Sequence, residues 1–125
     1  MEGYSVKILE CSGNLSPKQR VLLKDTGSAS KIDQMLADGD LIIDPDFYAV
    51  LEVNNEKAED KTYENYIIVD KSGERFVTGS KSFWSSFMDI YTEMSEYPDE
   101  EWRIRVFRQE SKNYKGKYFI TCTIE

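Results

Sequence analysis

Lys112, Lys115 and Lys117 crowd with Tyr114 and Tyr118 around Gly116 in the closing stretch RQESKNYKGKYFITCTIE. Ammonium groups and flat rings at this spacing suit single-stranded nucleic acid. Cations follow the phosphates, and rings stack on unpaired bases at about 1–3 kcal/mol per base with little sequence preference. The pattern extends back into EWRIRVFRQE, where Arg103, Arg105 and Phe107 recur at every second residue and so share one strand face. In YFITCTIE, Tyr118, Ile120, Cys122 and Ile124 alternate with Phe119, Thr121 and Thr123. If Ile120 points inward, Phe119 points out, where an open phenylalanine forgoes burial worth on the order of 1 kcal/mol or more. Residues 102–125 carry six cations (Arg103, Arg105, Arg108, Lys112, Lys115, Lys117) against Glu110 and Glu125, a net +4. The whole chain is −7, so residues 1–101 carry −11. This asymmetry says more about partners than the overall acidity does. Tyr48 and Tyr66 are candidates to extend the ring platform, and Lys61, Lys71 and Arg75 to extend the charge.

Each feature has a plainer explanation. Exposed hairpins use lysine for solubility and to guard sheet edges. N-terminal helices could cover Phe107 and Phe119, and any single tyrosine packs in a core more often than it binds a base.

Other chemistries lack their parts. The chain has no histidine, which removes the commonest general base and transition-metal ligand. Two distant cysteines, Cys11 and Cys122, do not make a zinc site, and their apolar contexts predict buried thiols rather than a disulfide. No phosphate-binding loop, dinucleotide fingerprint or nucleophile elbow occurs. The acidic runs EKAED (56–60) and EYPDEE (96–101) read as solvated loops, and a magnesium site around Asp89 or Asp99 is a weak alternative. The expectation is a protein that is not an enzyme and uses no cofactor or metal.

These residues need a scaffold, and the 125-residue length with 40% hydrophobic and 13% aromatic content predicts one packed domain. No apolar run approaches the roughly 18–20 residues of a membrane span. MEGYSVKILE lacks the features of a signal peptide, so a soluble, cytoplasmic protein is expected, with no membrane partner. YSVKILE predicts a strand. SPKQRVLLKD predicts a short helix with Ser16 as N-cap and Pro17 in the first turn. TGSASKIDQMLADGD predicts a second, capped by Ser28 or Ser30, with Ile32, Met35 and Leu36 on one face and Gly39 as its stop. Residues 1–45 thus form a strand-and-helix preface.

From residue 46 the period is two. DFYAVLEVNN (46–55) sets Phe47, Ala49, Leu51 and Val53 against Tyr48, Val50 and Glu52. YENYIIVD (63–70) and ERFVTG (74–79) follow as strands around a KSG turn. SKSFWSSFMDIYTEM (80–94) changes to helical spacing, with Phe83, Phe87, Ile90, Tyr91 and Met94 on one stripe and Pro98 beyond its end. EWRIRVFRQE (101–110), with Trp102, Ile104 and Val106 facing a core, and YFITCTIE (118–125) complete five strands. The expected fold is mainly β, of α+β type: a five-stranded OB-like β-barrel with a helix between strands three and four. Such barrels bind oligonucleotides over strands two and three and with two loops, here NNEKAEDKTY and QESKNYKGKY. Any other small α+β sheet with a meander, a helix and a hairpin has the same order.

At YAVLEVNNEKAEDKTYENYIIVD, TGSKSFWSSFMDIYTEM and SKNYKGKYFITCTI the chain resembles the small single-stranded-DNA-binding proteins of phages and prophages of Gram-positive bacteria, over roughly residues 4–125. The resemblance implies an OB-like fold, no catalysis, and a role protecting or organising single strands during phage DNA replication or recombination. It places Phe107, Lys112, Tyr114, Lys115 and Lys117 in the last hairpin, used on DNA. Replication or recombination proteins and further copies of the chain are compatible partners. Bacterial single-strand-binding proteins often end in a flexible acidic tail. This sequence stops on TCTIE, so recruitment through such a tail is not expected.

A second class of function uses the acidic remainder. Glu93, Glu96, Asp99, Glu100 and Glu101, with Asp38, Asp40, Asp44 and Asp46, could imitate nucleic acid and occupy the basic groove of a host defence nuclease or another host protein.

Overall fold

The computed structural model describes residues 4–13, 15–55 and 62–125. Among the described residues the chain is mainly β, with eight strands in two sheets and three helices. It divides into two compact units, residues 1–31 with 46–79 and residues 32–45 with 80–125. The preface expected at residues 1–45 is therefore shared between them.

The first unit holds β1 (Tyr4–Cys11), α1 (Pro17–Lys24), β2 (Ser30–Lys31), β4 (Pro45–Asn55), β5 (Thr62–Asp70) and β6 (Arg75–Thr78), with sheet order β1-β4-β5-β6-β2. β1 runs antiparallel to β4, from Tyr4↔Asn55 to Cys11↔Ala49, with a bulge between Ile8 and Glu10. Ser16 caps α1 reciprocally with Gln19, and Pro17 occupies the first turn, where its missing N–H removes no helical bond. α1 contributes Leu23, fully buried with Ala29, Ala49, Leu51, Ile67, Val69 and Val77. Removing a leucine side chain from water contributes about 1.5–3 kcal/mol. The β5–β6 turn rests on Asp70. Its Oδ1 accepts from Ser72 N and Glu74 N at 3.0 Å each, and Gly73 takes a positive φ of 92°.

The second unit holds α2 (Ile32–Met35), a 3₁₀ turn at Leu36–Asp38, β3 (Leu41–Ile43), α3 (Lys81–Met94), β7 (Ile104–Glu110) and β8 (Tyr118–Ile124). Its sheet order is β3-β7-β8, antiparallel throughout. Ser80 caps α3, whose stripe buries Phe83 and Phe87 completely. Phe83 stacks on Phe87 at 6.1 Å, Phe87 meets Tyr91 at 5.8 Å, and Tyr91 meets Trp102 edge-on at 6.2 Å. Ile43, Ile104 and Val106 are fully buried on one face of the three-stranded sheet.

The strand order of the expected barrel is present as β4, β5, β6, α3, β7, β8, but the first three strands and the last two pair in different sheets. Among the described residues no ladder closes a sheet into a barrel. Two short strands, β2 and β3, are additions to the expected elements.

Candidate nucleic-acid interface

β7 and β8 form a hairpin whose last ladder pair is Glu110↔Tyr118. Between them Ser111 N donates to Lys117 O at 2.8 Å, and Lys117 N donates to Tyr114 O at 3.2 Å. The second bond closes a four-residue turn with Lys115 and Gly116 at its centre. Gly116 has φ 81°, the value a type II turn demands at its third position and a conformation glycine adopts without strain. The turn presents Lys112, Tyr114, Lys115, Lys117 and Tyr118 to solvent, both tyrosines at 64% exposure. Lys117 Nζ lies 5.8 Å from the centroid of the Tyr114 ring, a cation–π contact. One ring face then meets the ammonium, and the opposite face is left for a planar group. Lys112 and Lys115 have no side-chain partner among the described residues.

Register fixes what stands on each side of the three-stranded sheet. Antiparallel partners share a face, so Ile42, Arg105 and Thr123 lie together, followed by Phe107 with Thr121, and Gln109 with Phe119. Phe107, Phe119 and Thr121 are half-buried, so this face is neither sealed nor fully open. The opposite face carries Ile104, Val106 and Cys122 in the core, but it runs out to an exposed Tyr118. α3 closes the outer edge of β8: Ser82 Oγ donates to Ile120 O at 2.9 Å, and Ser86 Oγ and Thr121 Oγ1 share a hydrogen bond at 2.9 Å. The Ser82 hydroxyl thus occupies a backbone acceptor of β8, while the Ser86–Thr121 bond fastens α3 to the strand's side chains.

The arginines behave differently from the lysines. Arg105 Nη1 donates to Asp40 Oδ2 at 3.0 Å, its Nε lies 3.8 Å from Glu125 Oε2, and its guanidinium carbon stands 5.1 Å from the Phe107 centroid. Arg108 Nη2 donates to Asp33 O at 2.9 Å. Arg103 is exposed and has no side-chain partner among the described residues.

Three of the residues suggested as extensions are placed elsewhere. Tyr48 and Tyr66 are each 6% exposed, so neither ring has a face open to a base. Both strands bury side chains on two faces around these positions, and burial raises the Tyr66 phenol pKa, with Glu64 adding to the shift. Arg75 is spent on α1. Its Nη1 donates to Leu22 O at 2.8 Å and Asp25 O at 3.1 Å, and its Nη2 to Ser28 Oγ at 2.7 Å. That arginine caps the helix end, and it also helps hold the Asp25 carboxyl below its ordinary value, after the larger effect of the Ser28 hydroxyl. Lys61 and residues 56–60 of the first expected loop lie outside the described residues.

Both cysteines are free thiols. Cys11 is half-buried and accepts from Arg20 Nη1 at 3.5 Å. Cys122 is buried, which pushes its pKa up to about 12. Among the described residues no group of three or more histidine, cysteine or acidic side chains could hold a metal ion. No helix among them is long and apolar enough to cross a membrane.

Tyr118 belongs by sequence to the ring cluster around Gly116, yet its alternation with Ile120 and Cys122 places it on the core-facing side of the strand. The core ends before the strand does, and the ring stands in water. Sequence reasoning omitted Asp40 and Glu125 as partners of Arg105. No signal in the local sequence links Asp40 to a residue 65 positions away.

No family model, curated protein or solved structure matches this chain.

Proposed function

We propose that this protein binds single-stranded DNA without strong sequence preference, through the β7–β8 hairpin and the adjoining face of the three-stranded sheet. The observation that carries it is the exposed turn at 111–117. Three lysines with no carboxylate partner among the described residues flank Tyr114, in a chain whose net charge is −7. Lysines supply the phosphate contacts, Tyr114 and Tyr118 supply stacking faces, and Phe107 and Phe119 supply half-buried rings behind them. Arg103 and Arg105 lie beside this surface. No bond is made or broken in such a role, so no residue is assigned to catalysis.

The resemblance to phage and prophage single-stranded-DNA-binding proteins supports the same function. It assigns the protein to protecting or organising strands in replication or recombination within a host cytoplasm. In this proposal the order β4-β5-β6-α3-β7-β8 is an OB-like order. Titration of a 5′-labelled oligo-dT by fluorescence anisotropy tests it, with duplex DNA and oligo-U as comparisons. Saturable binding to oligo-dT that weakens steeply with salt is expected. No binding at low salt would refute it.

A second role draws on a different observation. Glu93, Glu96, Asp99, Glu100 and Glu101 are all exposed at the end of α3 and beyond, and no cation stands in the helix's last turn. A nucleic-acid mimic would present such a surface to a basic host protein. Capture of a basic nuclease, together with failure to bind oligo-dT, would favour it.

A further inference from the structure

Arg105 sits at the centre of the sheet face next to the hairpin, yet it is not a free cation. Asp40 and Glu125 approach it from two directions, at 3.0 and 3.8 Å, and all three side chains remain well exposed, at 44%, 50% and 41%. Neither carboxylate engages the guanidinium in the paired, two-bond geometry that makes arginine–oxyanion contacts strong. Asp40 takes one Nη1 bond, and Glu125 stays beyond hydrogen-bond distance of Nε. Nη2 has no partner among the described residues. One guanidinium between two carboxylates gives this spot a local charge of −1, which repels a polyanion. Beside it, Phe107 lies under the guanidinium at 5.1 Å and keeps part of its surface open.

We propose that Asp40 and Glu125 are built-in competitors for a phosphate seat on Arg105. A bound strand must displace Asp40 before its phosphodiester reaches the guanidinium and a base reaches Phe107. This rests on the single-strand-binding function proposed above and adds to it two acidic positioning residues that set its affinity. The exchange favours a chain of phosphates over a lone anion. A single phosphate replaces one carboxylate with little net gain, whereas a strand already held by the hairpin lysines delivers its next phosphate at high effective concentration. Displacement also makes the seat less salt-sensitive than a bare arginine, because the released carboxylates take up cations as the phosphate loses them.

The test is oligo-dT affinity of Asp40→Asn, measured at several salt concentrations against Asp38→Asn. Asp38 is a nearby exposed acid that does not touch Arg105, so it controls for the charge change alone. Asp40→Asn should bind about two- to fivefold tighter than Asp38→Asn, the range an exposed ion pair spans. Its log–log salt slope should steepen by about 0.7, one single-strand phosphate. In an Arg105→Gln background the advantage of Asp40→Asn over Asp38→Asn should vanish. Glu125→Gln provides a second variant with the same expected direction should Asp40→Asn lose its fold in a thermal melt. Oligo-dT binding by the unaltered protein, with equal effects of Asp40→Asn and Asp38→Asn, would overturn the competitor role and leave the hairpin intact. No oligo-dT binding by any form would overturn both.

Discussion

Replacing Lys115 and Lys117 together by alanine isolates the hairpin's electrostatic contribution. Four cations of residues 102–125 make no side-chain hydrogen bond or ion pair among the described residues: Arg103, Lys112, Lys115 and Lys117, whereas Arg105 is held by Asp40 and Arg108 by the Asp33 carbonyl. If each meets one phosphate, log K should fall against log salt with a slope of about −0.7 per contact, or about −2.8 in all. The double variant keeps two contacts and a slope of about −1.4. Raising salt fourfold, from about 50 to 200 mM, should then weaken the unaltered protein about 50-fold and the variant about sevenfold. Folding should survive. Lys117 engages the turn through its backbone, with N donating to Tyr114 O and O accepting from Ser111 N. The side chains removed are exposed, and such changes are usually worth within about 0.5 kcal/mol. Anisotropy titrations at four or more salt concentrations give both slopes, and a urea melt gives the stability. An unchanged slope in a folded double variant would refute phosphate contact by this turn.

Arg75→Ala removes three hydrogen bonds that close the end of α1, at a side chain only 17% exposed. A loss of about 2–4 kcal/mol is expected in urea unfolding, at about 1.5–3 kcal/mol for each charged-group bond and well short of additive at this partly exposed site, with no direct effect on oligonucleotide binding. Gly116→Ala forces a Cβ onto a φ of 81°, which should cost about 1–2 kcal/mol and loosen oligo-dT binding through the displaced turn, read by melting and anisotropy together. Burial holds the Cys122 pKa at about 12 against an ordinary 9.0, so the thiol is neutral in the fold when an unfolded chain would already ionise. Its contribution is fully present below about pH 9 and is lost as pH rises toward about 12. With a thiol reagent at pH 8, Cys11 should react in the native protein, and Cys122 only after denaturant is added.

Local structure was legible wherever a short-range physical rule governed it. The pairing of Ser16 with Pro17 marked the start of α1. The i, i+4, i+7 stripe from Phe83 marked α3, and the alternation from Phe47 to Val53 marked β4. Gly116 marked a turn because only its backbone accepts the angle cheaply. β2 and β3, of two and three residues, are too short to show a period at all. The division into two units was not legible, because it depends on pairings such as Ser30↔Phe76 and Leu41↔Val106 between residues distant in sequence. Alternation also says which residues share a face without saying whether that face is open. This is why Tyr48, opposite Leu51's face, was available as a binding ring on paper and is buried in the fold. Tyr118 is the reverse case: it shares a face with buried Cys122 and extends past the core into solvent.

The arginines and lysines of this acidic chain do different work. Arg75, Arg105 and Arg108 each reach a partner far away in sequence, at Leu22, Asp40 and Asp33, and their planar forks suit several directed bonds at once. The hairpin lysines make no such distant tie among the described residues. Solubility does not explain them, because a protein at −7 moves closer to neutrality with every lysine added, and distance from neutrality is what keeps chains apart. Edge protection does not explain them either. The ladder stops at Glu110↔Tyr118, the lysines at 112, 115 and 117 lie in the turn beyond it, and the outer edge of β8 is met instead by Ser82 and Ser86. Three exposed cations around an exposed ring, tied among the described residues only by the contact of Lys117 with Tyr114, are the groups that the proposed strand-binding role would use.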